Sequence, residues 1–166
     1  MPEWGVYSEV GRLRTVMVHR PDLSLRRLTP ANHDKYLFDD VIWVERAIQE
    51  HDTFVRLMKD EGVQVYYLQE LLTESLTADQ KIREWVIDQA INERTVGISA
   101  LDAVRICLND MTPADLASHL IGGLTVGELE CIYMEGLSRF SLTAAASGPD
   151  AFILPPLPNT LFTRDS

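Results

Sequence analysis

The side chains best suited to chemistry crowd into one short stretch. Asn159, Thr160, Thr163, Arg164 and Asp165 supply an amide, two hydroxyls, a guanidinium and a carboxylate. Asp165 carries the most specific chemistry. An ionised carboxylate accepts two parallel N–H bonds from a planar guanidinium or amidine. Charge-assisted bonds of that kind contribute about 1.5–3 kcal/mol each. On residue type alone Asp165 has three roles open to it: contact with a cationic substrate, a pair with a neighbouring arginine, or a turn cap. Pro155, Pro156 and Pro158 remove three backbone donors and fix φ, so a stiff extended arm leads into Asn159. The sequence stops at Ser166, and the expectation is an active site whose other half is not in this sequence.

Other reactive types are less pointed. Asp39 and Asp40 follow Leu37-Phe38 in a long irregular stretch, where long ordered loops are often functional. The local expectation is a helix start, with Asp40 as N-cap and Asp39 favoured by the helix dipole. Cys107 and Cys131 form no CxxC and are expected as small buried apolar groups. His19, His33, His51 and His119 show no metal-ligand spacing, so no metal is expected.

The elements that must position these groups follow from periodicity. Leu13 to His19 is β-branched-rich and ends at Pro21, a strand. From Val41 to Glu61, an apolar stripe of Val44, Ala47, Ile48, His51, Val55 and Met58 marks an amphipathic helix. Asp52 and Arg56 are expected to pair at i,i+4 on another face. Gly62 suits the left-handed residue that ends a helix. Val63 to Leu68 is a second strand, so strand, helix and strand form one crossover unit with parallel pairing. Composition then changes. From Thr73 to Ser147 the signals are helical, with no convincing strand, and 11 acidic residues face 5 basic ones. Thr77 opens a helix lined by Ile82, Trp85, Val86 and Ile91; Ser99 caps one lined by Leu101, Val104, Cys107 and Leu108. Thr112-Pro113 starts a third, stopped by Gly122-Gly123, and Thr125 opens a fourth lined by Leu129, Ile132, Tyr133 and Leu137. A small-residue linker, 143–149, returns to strand chemistry at Ala151 to Leu154.

Composition limits the partners. Of 166 residues, 46% are hydrophobic, enough for one domain with a core or a domain with an insertion. A net charge of −10 disfavours nucleic acid and anionic membrane. No apolar run reaches the roughly 18 residues of a membrane span, and Met1 to Trp4 does not open a signal peptide. The expected location is cytoplasmic.

Several motifs carry a family resemblance. Gly5-Val6-Tyr7-Ser8-Glu9-Val10-Gly11-Arg12-Leu13-Arg14 resembles the N-terminus of bacterial arginine deiminases. So do Arg27-Leu28-Thr29-Pro30, Leu37-Phe38-Asp39-Asp40 with Trp43-Val44, Leu71-Leu72-Thr73-Glu74, and the run from Pro155 to Ser166. They fall in the family's order with family-like intervals. The resemblance implies an α/β fold, a partial five-bladed α/β propeller of ββαβ-type modules with an all-helical insertion. Residues 1–72 would be the first module, 73–148 the insertion, and 149–166 the start of the next module.

The activity implied is hydrolysis of L-arginine to L-citrulline and ammonia through a cysteine thiouronium intermediate, without metal or organic cofactor. By position, Asp165 matches the catalytic aspartate that holds the guanidinium. Asn159 and Phe162 match substrate-pocket positions, and Leu37 matches the loop over the substrate's amino-acid end. The family's nucleophilic cysteine, histidine and glutamate would lie beyond Ser166, and neither Cys107 nor Cys131 matches the nucleophile motif. The 166 residues alone are therefore expected to be inactive. The partners expected are L-arginine and either a homo-oligomer or a complementary C-terminal piece. The alternative is a non-catalytic remnant or assembly module.

Overall fold

A computed structural model describes the protein at Gly5, Ser8, 10–132 and 148–163. Its first unit is strand, helix, strand. β1 (Thr15–Val18) and β2 (Gln64–Tyr67) pair in parallel, with Val16 opposite Val65 and Val18 opposite Tyr67. Between them lie α1 (Leu23–Arg26), a 3-10 turn at His33–Tyr36, and α2 (Val44–Asp60). The stripe of α2 faces inward as its period requires: Val55 and Met58 pack with Val18 against Val16, Val63, Val65 and Tyr67. Val44 and Ile48, nearer its start, join a separate cluster with Leu25, Leu28 and Phe38. Gly62, at φ 80, ends α2. Its N–H bonds the Lys59 carbonyl at 2.9 Å, and the Val63 N–H bonds Met58 at 3.0 Å, the paired closure that suits glycine.

Two local expectations fail here. α2 begins at Val44 with Trp43 as its cap, and the Asp40 carboxylate accepts from the N–H of Val41 instead. Asp52 does not pair with Arg56. It takes a two-pronged bond from Arg20, at 2.7 Å on each oxygen, because the turn after β1 brings a planar guanidinium opposite it.

The remainder is mainly helical: α3 (Leu68–Ala78), α4 (Gln80–Ala90), α5 (Glu93–Val96), α6 (Ile98–Asp110), α7 (Pro113–Gly122) and α8 (Val126–Ile132). Val104, Cys107, Leu108, Leu116 and Ala117 are fully buried in its core with Ile87, Leu124 and Leu129. Thr112 caps α7 by accepting the Asp115 N–H, with Pro113 at the first helical position. Thr125 and Glu128 close a reciprocal box at the start of α8: the Thr125 N–H donates to Glu128 at 2.9 Å, and the Glu128 N–H to the Thr125 hydroxyl at 3.3 Å.

Four expectations for this block fail. Thr77 lies inside α3, and Asp79 caps α4. The buried face of α4 carries Arg83 and Ile87, while Ile82 and Trp85 are exposed. Arg83 sits inside because its guanidinium satisfies the carbonyls of Leu108, Asn109 and Met111 at the end of α6. Gly97, not Ser99, is the cap of α6. A short strand also exists: β3 (Leu124–Thr125) pairs antiparallel with β4 (Phe152–Leu154). Two residues are too few to show a periodicity of their own.

The protein is thus mixed α/β, with two two-stranded sheets among the described residues. Ile153 and Leu154 of β4 belong to the helical core. Among the described residues no helix is long and apolar enough to cross a membrane.

Candidate functional site

The proline arm leaves β4 against the end of α7. Leu157 N–H donates to the Ile121 carbonyl at 2.8 Å, and Gly123 allows the crossing. A Cβ at Gly123 would stand 2.8 Å from the Leu154 carbonyl oxygen and the Pro156 nitrogen. The arm ends in a 3-10 turn at Pro158–Leu161, which lies on the 33–38 loop.

Three contacts seat it. Leu161 packs onto the cluster of Leu25, Leu28, Phe38 and Val44. Asn159 Nδ2 donates to the Tyr36 carbonyl at 3.2 Å. The Phe162 ring stacks on Phe38 with centroids 6.3 Å apart. Beyond them, the Thr163 hydroxyl donates to the Met17 carbonyl of β1 at 3.0 Å. Residues more than 120 positions apart are so laid side by side, close to the carboxyl end of a parallel strand, where α/β proteins tend to bind ligands.

The loop beneath is held by its own polar groups. Asn32 donates to the Arg27 carbonyl at 2.9 Å and accepts the Thr29 N–H at 2.7 Å. His33 Nδ1–H donates to the Phe38 carbonyl at 2.6 Å. Leu37, between Tyr36 and Phe38, has φ 63 and is 86% exposed. Asn159 and Phe162 therefore seat on Tyr36 and Phe38, the two chain neighbours of Leu37. Asp165 lies outside the described residues.

Beside Phe162 opens a mostly apolar hollow of about 310 Å³, bounded by Val16 to His19, His51, Phe54 and Leu161 to Thr163. His19 is buried, its Nε2 3.5 Å from an Asp22 oxygen. Burial works to raise the Asp22 carboxyl, but its contacts with His19 and Ser24 outweigh it and hold it below the ordinary value. Burial pushes the His51 imidazole down, which keeps it neutral at physiological pH. Among the described residues no group of three or more His, Cys, Asp or Glu is arranged to hold a metal ion. Cys107 is buried in the helical core, and burial pushes its thiol up to about 11. It stays protonated and is no nucleophile. The Cys131 side chain lies outside the described residues.

Sequence reasoning missed one arrangement altogether. Arg27, below the loop, crosses to the helical block and binds Glu128. Arg27 stands in the Arg27-Leu28-Thr29-Pro30 motif and Glu128 in the first turn after Thr125, and nothing local links the two.

These contacts define an α/β protein whose candidate ligand wall is a loop and an arm laid together over a strand end. A family model described as arginine deiminase matches residues 34–166. The arginine deiminase of Rhodococcus erythropolis is 42% identical over 162 residues, 98% of this chain and 39% of that protein. That of Mycolicibacterium gilvum is 42% identical over the same length, and that of Mycobacterium avium 40% over 164 residues. The chain belongs to the arginine deiminase family. It spans about two-fifths of the length of these relatives, 39% to 40%.

Proposed function

We propose that this chain is the N-terminal portion of an enzyme that hydrolyses L-arginine to L-citrulline and ammonia, and that it supplies one wall of the guanidinium pocket. The observation that carries this reading is that Asn159 and Phe162 seat on Tyr36 and Phe38, the two neighbours of Leu37, with Leu37, Asn159 and Phe162 all being positions singled out by family resemblance. In this reading Asp165 holds the guanidinium by a two-pronged ion pair, which keeps its carbon electrophilic and fixes the angle of attack. Phe162 packs along the substrate methylenes, Asn159 gives a polar contact, and the Leu37 loop covers the amino-acid end. A cysteine thiolate from outside these 166 residues adds to the guanidinium carbon, ammonia departs, and water releases citrulline from the thiouronium.

The parallel β1-α2-β2 unit supports a partial five-bladed propeller, with residues 1–72 as the first module. Residues 73–148, which hold α4 to α8, are read as the insertion, with the next module starting at 149. The cytoplasm is the proposed location, and a complementary C-terminal piece or a homo-oligomer would complete the pocket. The test is a citrulline assay on this chain with and without that C-terminal piece, repeated with Asp165→Asn. Turnover should require both pieces and vanish in the variant. Near-wild-type citrulline formation by Asp165→Asn would remove the assigned role.

A further inference from the structure

We propose that Arg27 and Glu128 are positioning residues for this pocket: their ion pair fastens the 27–38 loop to the helical block, so that Phe38, beside Leu37, keeps its register against Phe162. The proposal rests on the pocket reading given above.

The geometry is that of a fastening rather than a surface pair. The Arg27 side chain is only 11% exposed. Its Nη2 donates to both Glu128 oxygens, at 2.8 and 2.7 Å, and to the Gly123 carbonyl at 3.2 Å. Its guanidinium carbon stands 5.5 Å from the centre of the Phe152 ring. Glu128 is itself held, since the Thr125 N–H and hydroxyl both donate to it. One guanidinium thus touches the α7–α8 turn, the head of α8 and β4, which leads into the proline arm.

The other end of the fastening is the loop. The Arg27 carbonyl receives Asn32, and His33, two bonds on, holds the Phe38 carbonyl. Leu23, four residues before Arg27, packs so tightly on α7 that a Cβ at Gly122 would lie 2.7 Å from it. The arm and the loop are therefore referred to one rigid support. With Arg27 buried and the Glu128 side chain 37% exposed, the pair contributes little net stability, because desolvation of the guanidinium offsets an attraction that solvent partly screens. What it does fix is direction, since one guanidinium nitrogen must reach both Glu128 oxygens and the Gly123 carbonyl together, which few orientations allow.

The test separates positioning from stability. In the 166-residue chain, hydrogen exchange is followed at the Phe38 and Phe162 amides, which bond the carbonyls of His33 and Asn159. Arg27→Met, Glu128→Gln and a helical-core control, Val104→Ala, are compared at matched global stability. Both pair variants should speed exchange at Phe38 by about tenfold over the control. Equal exchange in all three would overturn the proposal. Glu128→Gln keeps the side chain's shape, so the comparison survives if Arg27→Met fails to fold.

A second arm uses the complete deiminase polypeptide bearing these residues. KM for arginine should rise about tenfold in Arg27→Met with kcat within about threefold, and stay unchanged in Val104→Ala. KM moving alike in both variants would count against positioning. Full turnover by Asp165→Asn would instead sink the pocket reading, and the exchange arm would still decide the fastening.

Discussion

The helical block and the candidate wall are built on opposite plans. In the block, Val104, Cys107, Leu108 and Leu116 are completely buried, and an arginine is drawn inside to satisfy three carbonyls at a helix end. In the wall, Leu37 and Phe162 are exposed, and order comes from one small apolar cluster under Leu161 together with a few directed bonds to main-chain carbonyls. The difference teaches how a binding surface stays both open and still. Apolar side chains left free for a ligand cannot stabilise their own loop by burial, so that loop must be anchored elsewhere.

The sharpest way to break this contrast is a pair of truncations. Leu116→Ala should lower the unfolding free energy by about 2–5 kcal/mol, the cost of an emptied core site. Leu161→Ala, at a partly buried position, should cost clearly less. Urea unfolding of both variants measures this, and equal losses would erase the distinction. Next in size is Gly123→Ala. A side chain there meets φ 84 and ψ 170, which costs about 1–3 kcal/mol, and also the Leu154 carbonyl 2.8 Å away. Thermal unfolding should fall, and the Phe38–Phe162 stacking should loosen with it, because the arm is displaced at its root. Near-ultraviolet circular dichroism reads the second effect.

Phe162→Ala should do the reverse. The ring is 49% exposed, so the proposed pocket should depend on it more than the fold does. In the complete enzyme KM for arginine should rise while the melting temperature shifts by no more than about 2 °C, checked by steady-state kinetics beside calorimetry. The smallest effect is one of pH. Burial acts to raise the Glu128 carboxyl, but bonds from Thr125 and Arg27 outweigh it and hold the folded value below the ordinary one. Its contribution is present above the unfolded value and is lost as pH falls through the lower folded value. Wild type should therefore lose stability across that acid range faster than Glu128→Gln, and parallel curves in urea titrations would show that the pair carries no such linkage.

What was legible in the sequence was local. The α2 stripe, the Gly62 closure, the Thr112-Pro113 start and the helix opening at Thr125 depend on neighbours within a few residues, and each formed where its chemistry directs. The inward face of α4 was not legible, because Ile82 and Trp85 read as its lining while Arg83 takes that place through carbonyl partners beyond residue 107. Arg20 with Asp52 and Arg27 with Glu128, 101 residues apart, are settled by packing and leave no periodic trace. The wall was legible only through ordered motifs at residues 27–44 and 155–166. Nothing in composition or spacing says that Asn159 should reach Tyr36.

Leu37 has one further consequence. A leucine at φ 63 carries backbone strain of about 1–2 kcal/mol that glycine would not. The position is therefore caught between two demands. Glycine would ease the turn but remove the apolar side chain, and valine or isoleucine would keep an apolar surface while worsening the strain. Random mutagenesis selected for thermal stability should collect Leu37→Gly, and selection for turnover should discard it. One residue would then show the two pressures pulling the same codon in opposite directions.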